Sequence, residues 1–207
     1  LKPGTDTARM IQAANEAALF LDRHGETAWN SEGRFQGAKD SPLTPRGREQ
    51  ARSMGRTLAA MVNSEAPLRA YVSPLGRARE TASLISQHVN LEIHIEQRVS
   101  EVSLGCWDGM SMYEIDMEFP GVLNGSKPED WYFRSPDGET FEDAYARVSQ
   151  WLQESCAPAV VVTHGLASRL IRGAYEQRSK QEMLLLPVPQ DGIYRLKNGR
   201  SEFIQSG

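Results

Sequence analysis

The sequence predicts a three-layer α/β/α sandwich around a mostly parallel central sheet. Two apolar runs carry most of that prediction: Ala17-Ala18-Leu19-Phe20-Leu21 and Ala159-Val160-Val161-Val162-Thr163. Short, continuously apolar runs read as strands buried on both faces, as in a parallel sheet covered by helices. Amphipathic stretches at helical spacing separate the strand-like runs, the alternation expected of an α/β domain. The third observation concerns the residues just after each run. Arg23-His24-Gly25 ends the first and His164-Gly165 the second. In open α/β sheets ligands bind outside the carboxyl ends of the strands. Two histidines are therefore delivered to the expected binding edge.

Each element has its own local signal. Residues 1–16 read as an N-terminal tail or short helix, with no apolar signal-peptide core. The remaining chain, 17–207, reads as a single domain. Residues 17–22 form the first strand, and Gly25 allows a sharp turn after it. The polar, Gly-containing stretch from Ala28 to Ser41 is a loop. Thr44-Pro45 starts a helix, with Thr as N-cap and Pro in the first helical position; Ala51, Met54, Leu58 and Met61 form its apolar stripe. Leu68 to Val72 is the second strand, ended by Ser73-Pro74. Leu75, Ala78, Ala82, Ile85 and Val89 recur at spacings of three and four and predict a helix. Leu91 to Ile95 is the third strand.

Residues 108–138 contain Pro, Gly and several aromatics and read as an irregular, cap-like insertion. Thr140 caps a helix whose buried face is Phe141, Ala144, Tyr145, Val148, Trp151 and Leu152. The fourth strand and His164 come next, then a helix from about Leu166 to Tyr175. Ile193-Tyr194-Arg195-Leu196 and Ser201-Glu202-Phe203-Ile204 flank Asn198-Gly199, the signature of a hairpin.

Composition narrows the function classes. Of 207 residues, 40% are hydrophobic and 24% charged, with a formal net charge of −4. That balance argues against a general nucleic-acid or membrane-surface role, which needs a broad basic face. It leaves room for a small anionic substrate held by a few arginines. Two cysteines, Cys106 and Cys156, form neither metal-type spacing nor a disulfide framework. No apolar stretch approaches the length of a membrane span. A cytoplasmic location without metal or cofactor is the expectation, and a homo-oligomer is left open.

Arg77 lies in Ser73-Pro74-Leu75-Gly76-Arg77-Ala78-Arg79-Glu80-Thr81, at the start of the helix after the second strand. Helix N-termini favour anions, and a guanidinium matches phosphate oxygens bidentately. Arg23 and Arg77 are placed to grip one phosphoryl group from two sides. Arg79, two residues on, faces elsewhere. His88 and His94 read as ordinary structural histidines.

Three blocks in this order resemble the histidine phosphatase, or phosphoglycerate mutase-like, superfamily across most of residues 18–196. The most specific is Arg23-His24-Gly25-Glu26-Thr27-Ala28-Trp29-Asn30, continued by Arg34-Phe35-Gln36-Gly37 and Pro42-Leu43-Thr44-Pro45-Arg46-Gly47. The Ser73–Thr81 block and Val162-Thr163-His164-Gly165 complete it. The resemblance implies a phosphoglycerate mutase-like fold and a histidine acid-type phosphatase. It implies His24 as the nucleophile that takes up the phosphoryl group. Arg23, Arg77, His164 and Gly165 would bind the phosphoryl oxygens, with Asn30 adding a hydrogen bond. It places the general acid at Glu101, in Glu101-Val102-Ser103-Leu104-Gly105-Cys106-Trp107-Asp108-Gly109. Family members often carry a bulky apolar residue and a basic one before this Glu, where this chain has Val99-Ser100.

Other residues keep two readings. Gln36 and Gly37 either line the phosphate pocket or shape its loop. Trp131 and Arg134, in Trp131-Tyr132-Phe133-Arg134, either select the substrate from a cap or belong to a satellite cluster. Glu26 suits a structural role and Trp29 a packing one.

The expected function is a metal-independent phosphomonoester hydrolase, acting on a small phosphorylated metabolite through a phosphohistidine. Mutase-type phosphoryl transfer is the alternative. Against it, Val102-Ser103-Leu104-Gly105 replaces the Arg-His-Tyr-Gly-like stretch of cofactor-dependent mutases, and only Lys127 and Arg134 are positive within 108–138. A non-catalytic phosphate-binding protein fits less well, because the full catalytic set is present.

Overall fold

The structure is a computed structural model. It describes residues 18–62, 66–127 and 129–207. The N-terminal tail or helix expected over 1–16 lies outside the described residues. Six strands form one sheet: β1 (Leu19–Arg23), β2 (Leu68–Val72), β3 (Leu91–Ile95), β4 (Ala159–Thr163), β5 (Gly192–Lys197) and β6 (Arg200–Gln205). Their spatial order is β3-β2-β4-β1-β5-β6. β3, β2, β4 and β1 run parallel, whereas β5 is antiparallel to β1 and β6 to β5. The last pair closes through Asn198 and Gly199, both at positive φ (51° and 72°), as a tight hairpin turn demands.

The described helices are α1 (Ala28–Ser31), α2 (Pro45–Met61), α3 (Gly76–Ile85), α4 (Met112–Glu118), α5 (Phe141–Glu154), α6 (Gly165–Tyr175) and α7 (Lys180–Leu184). Strand periodicity explains the layers, because alternate residues face opposite sides. Phe20, Ala70, Val72, Val160 and Val162 pack with Met54 and Leu58 of α2 and Ala78, Ala82 and Ile85 of α3. Leu19, Leu21, Ala159 and Val161 pack on the other side with Ala144, Val148 and Trp151 of α5, Leu166 and Leu170 of α6, and Met183 and Leu184 of α7. Phe141, Tyr145 and Leu152 of the expected α5 face lie at the margin of this cluster, partly buried. β1 and β4, at the centre, are the strands whose sequences are apolar on both faces.

The segment 108–138 is more regular than its composition suggests. α4 lies within it, started by a capping box in which Ser111 Oγ accepts from Glu114 N and the Glu114 carboxylate from Ser111 N. α7 begins the same way, with Ser179 and Glu182. Leu104, Trp107, Ile115 and Trp131 form a small third core beneath this segment.

Gly25 has a reason other than the turn. It is absent from the glycines at positive φ. A Cβ there would lie 2.1 Å from the Gly47 carbonyl oxygen, and one on Gly47 would lie 2.0 Å from the Glu26 oxygen. The loop after β1 and the first turn of α2 cross backbone to backbone, and only glycine permits that approach.

Candidate active site

Strand register builds the site. Arg23 of β1 is level with Thr163 of β4, and His24 N donates to the Thr163 carbonyl at 3.0 Å. The next residue on each strand is therefore a histidine beside a histidine. The His24 and His164 rings stand 5.1 Å apart, both almost entirely buried. β2 joins on the other side of β4: Val72 is level with Val162. Ser73 then comes within reach, its Oγ 2.7 Å from His164 Nε2.

His24 Nδ1 lies 2.8 Å from the Gly25 carbonyl oxygen. A carbonyl only accepts, so Nδ1 carries the proton and Nε2 the lone pair. Burial, followed by the nearby Arg77 and Arg23 charges, holds His24 well below the ordinary imidazole range. Burial, then Arg77 and His24, do the same to His164. Both rings are neutral at neutral pH, and a neutral imidazole is what nucleophilic attack requires.

Arg77, in the first turn of α3, is fixed on every side. Its guanidinium donates to the carbonyls of Lys39 (2.6 Å) and Gly37 (2.9 Å) and to Asp40 Oδ1 (3.1 Å). Its Nε donates toward His24 Nε2 at 3.3 Å. The loop that supplies these acceptors is stapled by Asp108, which accepts from Ala38 N (3.0 Å) and Leu104 N (2.8 Å). Gly37, at φ +50°, packs against that carboxylate.

Arg23 is held from the opposite wall. It donates to the carbonyl of Val188, and its Nε is buried without a partner among the described residues. Burial brings its pKa down to about 10, opposed by Glu101. The preceding carbonyls of the same loop take two further arginines: Leu186 accepts from Arg169 (2.7 Å) and Pro187 from Arg172. Gln190 donates to the His24 carbonyl and to Asn30 Oδ1, both at 3.1 Å. Residues 186–190 thus tether the cationic wall, a role no sequence motif announced.

Glu101 reaches the N-terminus of α6. Its carboxylate accepts from Val102 N (3.0 Å), Ala167 N (3.0 Å) and Leu166 N (3.2 Å). Asn30 completes the capping box of α1 with Thr27, which fixes its side chain beside the cleft.

Arg23, His24, Asn30, Gln36, Gly37, Arg77, Glu101 and Gly165 all line one cleft of about 280 Å³. His164 is not among the lining residues; it is fully buried beside His24, and its Nδ1 has no partner among the described residues. Trp131 and Arg134, expected at the substrate, are not among the lining residues. Trp131 is 7% exposed and packs in the third core against Leu104 and Trp107. Arg134 is exposed and donates to the carbonyls of Asn124 (3.4 Å) and Gly125 (3.2 Å). Tyr132, between them, is the residue that reaches the cleft, together with Arg34 and Arg169. Arg79 is exposed and lines a separate groove beside β3. Glu26 accepts from Thr44 Oγ1 at 2.8 Å, which ties the first loop to α2.

The model of the histidine phosphatase superfamily (branch 1) matches residues 19–204. The chain belongs to that superfamily. A probable phosphoglycerate mutase GpmB of Salmonella arizonae is 32% identical over 159 residues, covering 72% of this chain and 70% of that protein. Phosphoserine phosphatase 1 of Hydrogenobacter thermophilus is 35% identical over 136 residues, covering 66% of this chain and 63% of that protein. The solved structure of Bacillus stearothermophilus YhfR superposes with a TM-score of 0.76 at 28% identity, covering 92% of this chain and 96% of that one. The mutase-like α/β fold expected from the sequence is the fold of this histidine phosphatase. Among its described residues, no helix is long and apolar enough to cross a membrane.

Proposed function

We propose that this phosphatase hydrolyses a small phosphomonoester through a phosphohistidine on His24, with Glu101 as general acid, and that the charge work is done by arginines. The observation that carries the reading is the tautomer of His24. With Nδ1 spent on the Gly25 carbonyl, Nε2 presents its lone pair into a cleft walled by Arg23 and Arg77.

The steps follow from that geometry. Nε2 attacks phosphorus, the ester P–O bond breaks, and the leaving oxygen takes a proton from Glu101. Water then attacks the phosphohistidine, giving its proton back to Glu101 and releasing phosphate and neutral His24. Splitting one displacement into two lowers each barrier. Arg23, Arg77, Asn30 and a donor from His164 hold the equatorial oxygens, where charge accumulates. The guanidinium groups are pinned by carbonyls, so little reorganisation accompanies reaction. Among the described residues no cluster of three or more His, Cys, Asp or Glu side chains is placed to hold a metal ion. The acid-type subclass rests on the Glu101 assignment, and the cytoplasmic setting on the two exposed free cysteines.

The test is to treat the protein with p-nitrophenyl phosphate and to follow phosphate release together with acid-labile, base-stable protein-bound phosphate. Both should vanish in His24→Ala. Phosphate release that survives this substitution would remove His24 as the acceptor.

A further inference from the structure

We infer that Ser73 is a positioning residue that fixes the proton of His164 on Nδ1, so that of two adjacent histidines one is a hydrogen-bond donor and the other the nucleophile. The inference deepens the phosphatase reading of the site and rests on it. Ser73 stands where β2 ends. Its N–H donates to the Val162 carbonyl at 3.0 Å, which carries the pairing of β2 with β4 one residue further and sets Ser73 beside His164. Both side chains are wholly buried. Pro74 has no N–H, so the next backbone donor is Leu75 N, which turns back to Ser73 Oγ at 3.3 Å. The other contact of that oxygen is His164 Nε2, at 2.7 Å.

The proton count gives the direction of that bond. A serine hydroxyl has one proton to give and two lone pairs. Oγ already accepts from Leu75 N, and among the described residues its own proton has one acceptor in reach, His164 Nε2. With the proton on Nε2 instead, Oγ would accept twice and its O–H would be buried with no acceptor, a costly arrangement. Burial keeps the imidazole neutral, with a single N–H. That N–H is therefore on Nδ1. Nδ1 is buried without a partner among the described residues, and although His164 is the N-cap of α6, its side chain makes no capping bond. A buried donor left unpaired calls for an explanation. An anion between Arg23 and Arg77, the two guanidinium groups that act on this ring, supplies one.

The two rings, 5.1 Å apart, are thereby set in opposite senses. His24 spends its Nδ1 proton on the Gly25 carbonyl at 2.8 Å and offers Nε2 as a lone pair. His164 spends its Nε2 lone pair on Ser73 and offers Nδ1 as a proton. A phosphoryl group on His24 Nε2 then meets a donor and not a second lone pair, which would repel its oxygens. The same arrangement keeps His164 from acting as a second phosphoryl acceptor, because neither of its nitrogens has a free lone pair. Two histidines that end neighbouring strands in the same way are made unequal by one hydroxyl from a third strand.

The test is nitrogen NMR of the whole protein labelled with ¹⁵N-histidine, at neutral pH, with the His164 ring identified by its loss in His164→Asn. The ring should carry its proton on Nδ1 and its lone pair on Nε2. In Ser73→Ala, which removes a single oxygen, the Nδ1–H population should fall, since nothing then holds the proton there. Inorganic phosphate, titrated calorimetrically, should bind that variant at least about 10-fold more weakly, the scale of one hydrogen bond to a charged group. Ser73→Thr keeps the hydroxyl and should restore both the tautomer and most of the affinity, which a purely structural role for Ser73 would not require. A proton on Nε2 in the parent protein would overturn the assignment, as would a tautomer and phosphate affinity unchanged in Ser73→Ala. Neither measurement depends on turnover. A protein with Nδ1–H and tight phosphate binding that hydrolyses no ester would sink the phosphatase reading alone. Hydrolysis of esters with His164 protonated on Nε2 would sink the role of Ser73 alone.

Discussion

Arg77 Nε stands 3.3 Å from His24 Nε2, so the guanidinium we propose as a binder of the phosphoryl oxygens also caps the nitrogen we propose as the nucleophile. A guanidinium cannot accept a proton; burial first, and then this charge, hold the imidazole neutral, and the Nε–H points at the ring's lone pair. In the proposed reaction an incoming phosphoryl oxygen competes for the same donor and exposes Nε2 as it binds, so that activation of the nucleophile and recognition of the anion are one event.

Arg77→Lys should therefore lower kcat/KM by at least about 100-fold, the scale of losing a preorganised oxyanion donor. An ammonium cannot satisfy the Gly37 and Lys39 carbonyls, Asp40 and the substrate together. Arg79→Ala, two residues along the same helix and exposed, should stay within about two-fold. Steady-state kinetics on one ester decide this; a mild Arg77→Lys variant would show that the cradle is not used.

Glu101→Gln should slow esters with poor leaving groups by about 10²–10⁴-fold and p-nitrophenyl phosphate far less, because nitrophenolate hardly needs a proton. The amide oxygen can still accept from Val102 and Ala167, with only the bond from Leu166 lost, so the fold should persist. Equal losses on alkyl and nitrophenyl esters would make Glu101 a positioning residue.

Stability should peak near neutral pH, for opposing reasons. His24 and His164 are held below their ordinary value of 6.5 in the fold. Below about pH 6.5 the unfolded chain binds more protons, and stability falls by up to about 2.7 kcal/mol per pH unit for the pair. Asp22 acts the other way. It is wholly buried in β1, both carboxylate oxygens lack partners among the described residues, and burial raises its pKa well above 3.8. Its contribution is complete below pH 3.8 and is lost as pH rises toward the folded value. Asp22→Asn should match the parent protein near pH 4 and exceed it increasingly with rising pH, by up to about 1.4 kcal/mol per unit. Urea denaturation at several pH values measures the slope, and parallel curves for the two proteins would contradict the assignment.

Arg134→Ala should leave KM and kcat within about two-fold for every ester in a panel, since its bonds go to the Asn124 and Gly125 carbonyls outside the cleft. A selective rise in KM for anionic esters would restore Arg134 to the substrate site.

The elements with strong local signals are legible in the sequence. Thr44-Pro45 opens α2, with Thr44 Oγ1 accepting from Gly47 N, and Thr140 caps α5. β2, β3 and β4 have the expected ends. Asn198-Gly199 makes the hairpin turn. α4 and α7 do not stand out, although their Ser-x-x-Glu capping boxes are present. Seven- and five-residue helices give too little periodicity to be seen among Pro, Gly and aromatics.

The sequence by itself determined that an arginine–histidine pair and a second histidine end two buried strands, because apolar patterning is local and ligands gather at strand ends. Tertiary structure alone decided the rest, because it depends on which distant atoms meet. The register of β1 on β4 set His24 against His164. Chain packing brought the carbonyls of residues 186–188 to three arginines and the amides of α6 to Glu101. It also turned Trp131 into the core and Tyr132 toward the cleft. Neighbouring residues in a tight turn point in different directions, so composition placed the aromatic cluster near the cleft but could not choose which ring reaches it.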